Sequence, residues 1–298
     1  MSVVLSINNL SKNYGNIRAL NDVNFKVPAG TVFGILGPNG SGKTTMLGII
    51  MDVLRATSGS IELFGHAPTA TDRKKIGTLL ETPNFYHYMS AVDNLKISAS
   101  IKGIEKPNIE EVLKKVNLYQ RKDSKFQTYS LGMKQRLAIA SCLLGDPQVM
   151  VFDEPTNGLD PVGIAEIRDL IKRLAKEGKT IIMASHLLDE VEKVCTHVAI
   201  LKKGVLIAAG NVNEILVNDD IVEVAAENKE QLLFALQTVP GYTKIDALDN
   251  GNTIISFAPG TANLARLNEY CFSKGIVLNH LQLKKKSLES KFIELTNE

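Results

Sequence analysis

Residues 37–45 read GPNGSGKTT. Gly37, Gly40 and Gly42 give this run backbone freedom, Lys43 gives it a cation and Thr44 a hydroxyl. Such a loop can turn its N–H groups inward around phosphates, with Lys43 neutralising the β- and γ-phosphates and Thr44 offering an oxygen to Mg2+. The contacts with the phosphates then run from Gly37 through Pro38, Asn39, Gly40, Ser41, Gly42, Lys43 and Thr44 to Thr45. The pattern arises by chance in roughly one chain of this size in a hundred. Asp153 and Glu154 close a second apolar run, VMVF. The first is placed to hold Mg2+ through water, the second to polarise a water for attack on the γ-phosphate. An isolated acidic pair is more simply a solvated turn, but on a parallel strand neighbouring the phosphate loop the chemical reading is preferred. His186 ends a third apolar run and would also face the γ-phosphate. Finally, YSLGMKQRL at 129–137 sets Ser130 and Gly132 ahead of a helix, which is a second phosphate half-site. One nucleotide has no need of two.

The elements that must position these groups follow from periodicity. Residues 1–30 alternate apolar and polar positions (VVLSINNL, NDVNFKV), which predicts antiparallel strands. GTVFGILG (30–37), QVMVFDE (148–154) and KTIIMASH (179–186) are short apolar runs of the buried-strand type. Between the last two, Ile164, Ile167, Ile171 and Leu174 fall on one helical face, and Gly178 makes a natural stop. Buried strands alternating with helices predict a mainly parallel α/β sheet with ligands at the carboxyl ends of the strands. Residues 85–145 read as a mostly helical insertion. The character changes near residue 212. From there the order is strand (221–227), helix (229–238), strand (243–248), an Asn250-Gly251 turn, strand (253–258), helix (262–274) and strand (276–283). That is a βαββαβ, ferredoxin-like α+β domain. A last short helix, SLESKFIELT, would pack across it. The expected division is 1–215 for the nucleotide domain and 216–298 for the accessory one.

Bulk properties exclude other classes. A length of 298 residues suggests two domains, and 44% hydrophobic with 22% charged residues is ordinary for a globular chain. A net charge of +2 implies no polyelectrolyte partner, hence no nucleic acid. No apolar run approaches the roughly 18 residues that cross a bilayer, and the start MSVVLSINNLSKNYG lacks the layout of a secretory signal. Three scattered cysteines, Cys142, Cys195 and Cys271, match no metal-ligand spacing and read as idle thiols of a reducing cytosol.

With YGNIRAL, GPNGSGKTT, YSLGMKQRL, VMVFDEPTNGLDP and ASHLLDEVE in order, residues 3–215 resemble the ATP-binding subunit of an ABC transporter. The resemblance implies that Tyr14 stacks on adenine, that Thr44 and Asp153 serve Mg2+, that Glu154 is the general base and that His186 contacts the γ-phosphate. It also implies a use for the second half-site. Two subunits would dock head to tail as an ATP-dependent homodimer, with Ser130 and Gly132 of one capping the nucleotide on the phosphate loop of the other. Asp160 would lie at the same interface. The chain departs from the family at two places. Leu131 stands where the usual signature Leu-Ser-Gly-Gly-Gln has its first glycine. Glu81 stands where most members carry a glutamine that contacts the metal and couples to the permease. Both variants are similar to those of the bacitracin- and lantibiotic-type branch. Export of an antimicrobial peptide or related amphiphile, through a separate membrane permease on the inner face of the cell membrane, is therefore the expected task.

Two alternatives belong to other classes. A soluble ABC-type ATPase could act on the ribosome or on DNA, but ribosome-bound relatives carry two nucleotide domains. DNA-linked relatives carry a long coiled coil, and the 45–153 interval holds no extended heptad pattern. In a P-loop kinase or GTPase the second half-site would have no purpose.

Overall fold

The computed structural model describes residues 2–80, 84–216, 220–248, 251–284, 288 and 292. In chain order the elements begin β1 (Val3–Tyr14), β2 (Ile17–Pro28), β3 (Val32–Leu36), α1 (Lys43–Ile50), β4 (Ser58–Leu63), α2 (Ala70–Lys74) and β5 (Ile76–Leu79). Next come α3 (Ala91–Lys102), α4 (Ile109–Lys115), α5 (Leu131–Leu143), β6 (Val149–Asp153), α6 (Pro161–Lys176) and β7 (Thr180–Ser185). Then follow α7 (Leu188–Val194), β8 (His197–Lys202), β9 (Val205–Asn211) and, at the boundary, α8 (Val212–Ile215). Two compact units divide between Val212 and Asn213.

The first unit holds two sheets. The antiparallel one has the order β2-β1-β4, and the larger one β5-β6-β7-β3-β8-β9, parallel except for the β8–β9 hairpin. Every residue of β3, β6 and β7 is buried, as continuous apolar runs require when both sheet faces are covered. One hydrophobic core joins the sheets, with Leu5, Ile7, Leu20 and Val23 from the antiparallel side and Phe33, Ile35, Val151 and Ile182 from the parallel side. Phe25 and Phe33 stack across it with ring centroids 5.3 Å apart. Helices α3, α4 and α5 form the insertion between β5 and β6.

Three features differ from the sequence-based expectation. The strand bearing Asp153 is not the neighbour of the phosphate-loop strand, because β7 lies between β3 and β6. Parallel strands joined by long crossovers can insert between earlier ones, and no local pattern records that choice. The short strand β4 was not expected either. β4 (SGSIEL) begins with three exposed small residues and is held by its pairing to β1, Leu5 opposite Leu63 and Ile7 opposite Ile61. On α6 the buried stripe is Ile167, Leu170, Ile171 and Leu174, with Ile164 only half-buried.

The second unit contains β10 (Asp220–Ala226), α9 (Lys229–Leu236), β11 (Tyr242–Ala247), β12 (Thr253–Phe257), α10 (Leu264–Ser273) and β13 (Leu278–Lys284). All pairings in its sheet, β11-β12-β10-β13, are antiparallel, which makes a βαββαβ sandwich. Its own core gathers Val222, Val224, Leu232, Leu236, Ile255, Phe257, Leu267 and Cys271. Asn228 and Asn263 cap α9 and α10 by accepting from the N–H groups of Gln231 and Arg266. Asn250 of the expected turn, and all of the expected last helix except Leu288 and Phe292, lie outside the described residues.

All three cysteines are buried and none is in a disulfide. Burial pushes the Cys142 thiol up to about 12, against a smaller downward pull from Lys102, and raises Cys195 as well. Thiols held protonated in this way are poor nucleophiles. Among the described residues, no helix is long and apolar enough to cross a membrane.

Candidate nucleotide-binding site

The phosphate loop leaves the carboxyl end of β3 and opens α1 with an uncapped N-terminus. Gly42 is the N-cap residue and supplies no side-chain hydrogen bond, and the first turn holds no acidic residue. First-turn amides without a side-chain cap are available to a phosphate, and the helix dipole favours its negative charge. The cradle is closely backed. A Cβ on Gly42, whose φ is +102°, would lie 2.5 Å from the Ala19 carbonyl oxygen and 2.7 Å from a Leu20 methyl. A Cβ on Gly37 would collide with the Leu201 carbonyl and with Ser41. The Ser41 hydroxyl is buried in the loop and has no hydrogen-bond partner among the described residues. Behind the loop, the β8–β9 turn adds a brace, in which Gly204 N–H donates to the Ser41 carbonyl at 3.1 Å and Asn21 N–H donates to the Gly204 carbonyl at 2.8 Å.

This packing makes Gly42→Ala a sharp test of the cradle. A non-glycine residue in left-handed backbone costs about 1–2 kcal/mol, and the added methyl must also displace β2. The expected result is a lower melting temperature together with ATP affinity reduced at least about tenfold. Unchanged affinity in a calorimetric titration would show that the loop does not need this conformation.

Lys43, Glu154 and His186 come together at the mouth of the loop. The Lys43 amine donates to the Gly37 carbonyl at 2.8 Å and to the Pro38 carbonyl at 3.3 Å, and lies 3.6 Å from Glu154 Oε1. Glu154 follows β6 in left-handed backbone, φ +47°, and its N–H donates to the Ala184 carbonyl on β7. The intervening strand β7 thus carries Glu154 to the loop and sets His186 beside it. His186 Nδ1 lies 2.8 Å from Glu154 Oε2. A carboxylate only accepts, so Nδ1 carries a proton, and in a singly protonated ring Nε2 is then an acceptor. Donation from Nε2 to a phosphate oxygen would need the doubly protonated ring. Asp153, the last residue of β6, is 4% exposed. Its carboxylate and the exposed Thr44 hydroxyl are hard oxygen donors, a set that suits Mg2+.

The remaining candidates lie elsewhere. Tyr14 ends β1 and is 45% exposed. The β1–β2 hairpin is bulged near Ala19, whose carbonyl packs on Gly42, so Tyr14 belongs to an element fixed against the loop. Ser130 caps α5, its hydroxyl oxygen accepting from Met133 N–H at 3.3 Å, and Gly132 has open space around its Cα. The hydroxyl hydrogen of Ser130 is left to donate. Asp160 caps α6 by accepting from Gly163 N–H at 2.8 Å. Leu131 is 51% exposed and approaches Gly158, which joins the Ser130 segment to the Asp160 segment. Glu81 lies outside the described residues. Sequence reasoning missed the backing residues Ala19 and Gly204, whose contacts with the loop are entirely tertiary.

A protein-family model described as "ABC transporter" matches residues 20–157. The ABC transporter ATP-binding protein YhcH of Bacillus subtilis (strain 168) is 37% identical over 100% of this chain and 97% of its own length. The bacitracin transport ATP-binding protein BcrA of Bacillus licheniformis is 35% identical over 99% and 98%, respectively. The lantibiotic transport ATP-binding protein SrtF of Streptococcus pyogenes is 41% identical over 68% of this chain and 89% of its own. Among solved structures, CbiO1 of Clostridium perfringens, part of the ABC transporter complex CbiONQ, superposes with a TM-score of 0.66. It is 31% identical over 72% of this chain and 91% of that one.

Proposed function

The chain belongs to the family of ABC transporter ATP-binding subunits and is an ATP-hydrolysing transporter subunit, and from that premise we propose that it powers export of a bacitracin- or lantibiotic-like peptide through a separate membrane permease. The cargo reading is supported by the likeness to transport proteins named for those peptides, in one case along nearly the whole chain. The permease would hold the subunit at the inner face of the membrane.

The single observation that carries the chemistry is the carboxylate of Glu154 held between Lys43 and His186 at the mouth of the phosphate loop. In the proposed mechanism the loop amides and Lys43 hold the triphosphate, displacing the lysine from its Gly37 and Pro38 carbonyls. That exchange also loosens Lys43 from Glu154. Glu154 then accepts the proton of the attacking water, and His186 orients the carboxylate through Nδ1. Thr44 and Asp153 would hold Mg2+, which when bound offsets phosphate charge, and Glu81 is proposed as a further metal contact. Tyr14 stacks on adenine. Two chains dock head to tail, so that Ser130, Gly132 and Asp160 of one complete the site of the other. No nucleic acid takes part.

Cargo is tested in the native host. Cells whose only copy carries Glu154→Gln should become more susceptible to bacitracin- or lantibiotic-class peptides and not to small hydrophilic antibiotics. Unaltered susceptibility across such peptides would remove the cargo reading and leave the ATPase intact. Action across the dimer is tested by mixing subunits. One subunit carrying both Lys43→Ala and Ser130→Ala, paired with wild type, spoils both shared sites. Splitting the two changes between subunits damages one site twice and leaves the other whole, so the split pair should retain several-fold more ATPase activity. Equal rates from the two arrangements would argue against completion in trans.

A further inference from the structure

We propose that Lys12 is a positioning residue for the adenine platform, occupying one face of the Tyr14 ring so that the base stacks on the other. The proposal rests on the reading of Tyr14 as the adenine contact. Lys12 and Tyr14 are two residues apart on β1, so their side chains leave the strand on the same side. The Lys12 ammonium lies 4.9 Å from the centroid of the Tyr14 ring, within cation–π range. It is also tethered, donating to the Arg55 carbonyl at 2.7 Å. Among the described residues no carboxylate lies within ion-pair distance of it. The ring and one backbone carbonyl are therefore its polar partners.

The surroundings say what the arrangement is for. Ile17 faces Tyr14 directly across the hairpin and is 71% exposed. A ring and a β-branched side chain, side by side and both open to solvent, form an apolar ledge that contributes little to the core. The hairpin carrying it is pinned to the phosphate loop through the Ala19 carbonyl and Gly42. An exposed tyrosine with no tether would sample several rotamers, and binding would have to arrest it. Lys12 removes part of that cost beforehand. The ring stays in one orientation with one face covered, and its free face stands at a fixed place relative to the phosphates.

The test separates base from phosphate. Binding of Mg-ATP and of inorganic tripolyphosphate to the full chain is measured by calorimetry for wild type, Lys12→Met, Lys12→Arg, Tyr14→Ala and the Lys12→Met/Tyr14→Ala double variant. Loss of stacking in Tyr14→Ala should weaken ATP at least about fivefold. Lys12→Met should weaken ATP about threefold, Lys12→Arg should stay near wild type, and tripolyphosphate should bind all of them alike. In the double variant the Lys12 change should add nothing. Unchanged or tighter ATP binding by Lys12→Met, with Tyr14→Ala still weakened, overturns the role of Lys12 alone. Equal weakening of tripolyphosphate by Lys12→Met makes Lys12 a phosphate contact and overturns it too. Unchanged ATP binding by Tyr14→Ala overturns the adenine reading beneath it.

Discussion

Glu154→Gln is expected to bind ATP and hydrolyse it about 100- to 10,000-fold more slowly, the range that a positioned general base contributes. The substitution keeps the shape of the side chain and an oxygen that can accept from His186 Nδ1, so the neighbouring geometry survives. What it removes is the capacity to take a proton from water. Binding should not suffer, because the carboxylate also holds Lys43 at 3.6 Å. Losing that ion pair leaves the lysine freer to meet the triphosphate. Slow hydrolysis with intact binding should accumulate an ATP-bound closed dimer, visible as a shift to twice the mass in gel filtration with Mg-ATP. Near-normal turnover in a single-turnover assay would falsify the assignment of Glu154 as base. Monomer alone in Mg-ATP would instead count against the dimer.

Lys43→Ala should give the opposite pattern, with ATP affinity falling by about one to two orders of magnitude and turnover following it. A hydrogen bond to a charged group contributes about 1.5–3 kcal/mol. Lys43 is only 6% exposed, so little water is at hand to replace it. The same change uncovers the Gly37 and Pro38 carbonyls and leaves Glu154 with His186 as its remaining close partner. A lowered melting temperature would therefore be no surprise, and affinity must be measured well below it. Wild-type affinity for both ATP and tripolyphosphate would mean that the loop amides suffice and that Lys43 is not a phosphate ligand. The two variants together divide binding from chemistry.

Much of this protein is legible in its sequence, for a physical reason. The phosphate loop is contiguous, so its glycines, lysine and threonine declare their geometry within nine residues. Strands β3, β6 and β7 are buried on both faces and so appear as unbroken apolar runs, while α6 shows its buried stripe at helical spacing. The βαββαβ order of the second unit was legible because each of its short elements alternates or repeats in step with its own period. Contacts between distant segments leave no such trace. That β7 separates β3 from β6 is decided by pairing between strands far apart in the chain, and this insertion is what sets His186 against Glu154, 32 residues away. The Lys43–Glu154 pair depends on the sheet and on a left-handed turn at a glutamate, a backbone choice that its side chain does not announce. Ser130 and Asp160 could be named from their motifs, but their use as helix caps follows only from the backbone around them. The place of the Lys12 ammonium, over the Tyr14 ring and tethered to the Arg55 carbonyl, is likewise set by folding, since Arg55 lies 43 residues away along the chain. Sequence fixes what is local and periodic. Which distant groups meet is set by sheet order, bulges and turns, whose energy lies in hydrogen bonds and packing between segments that no single stretch of the chain contains.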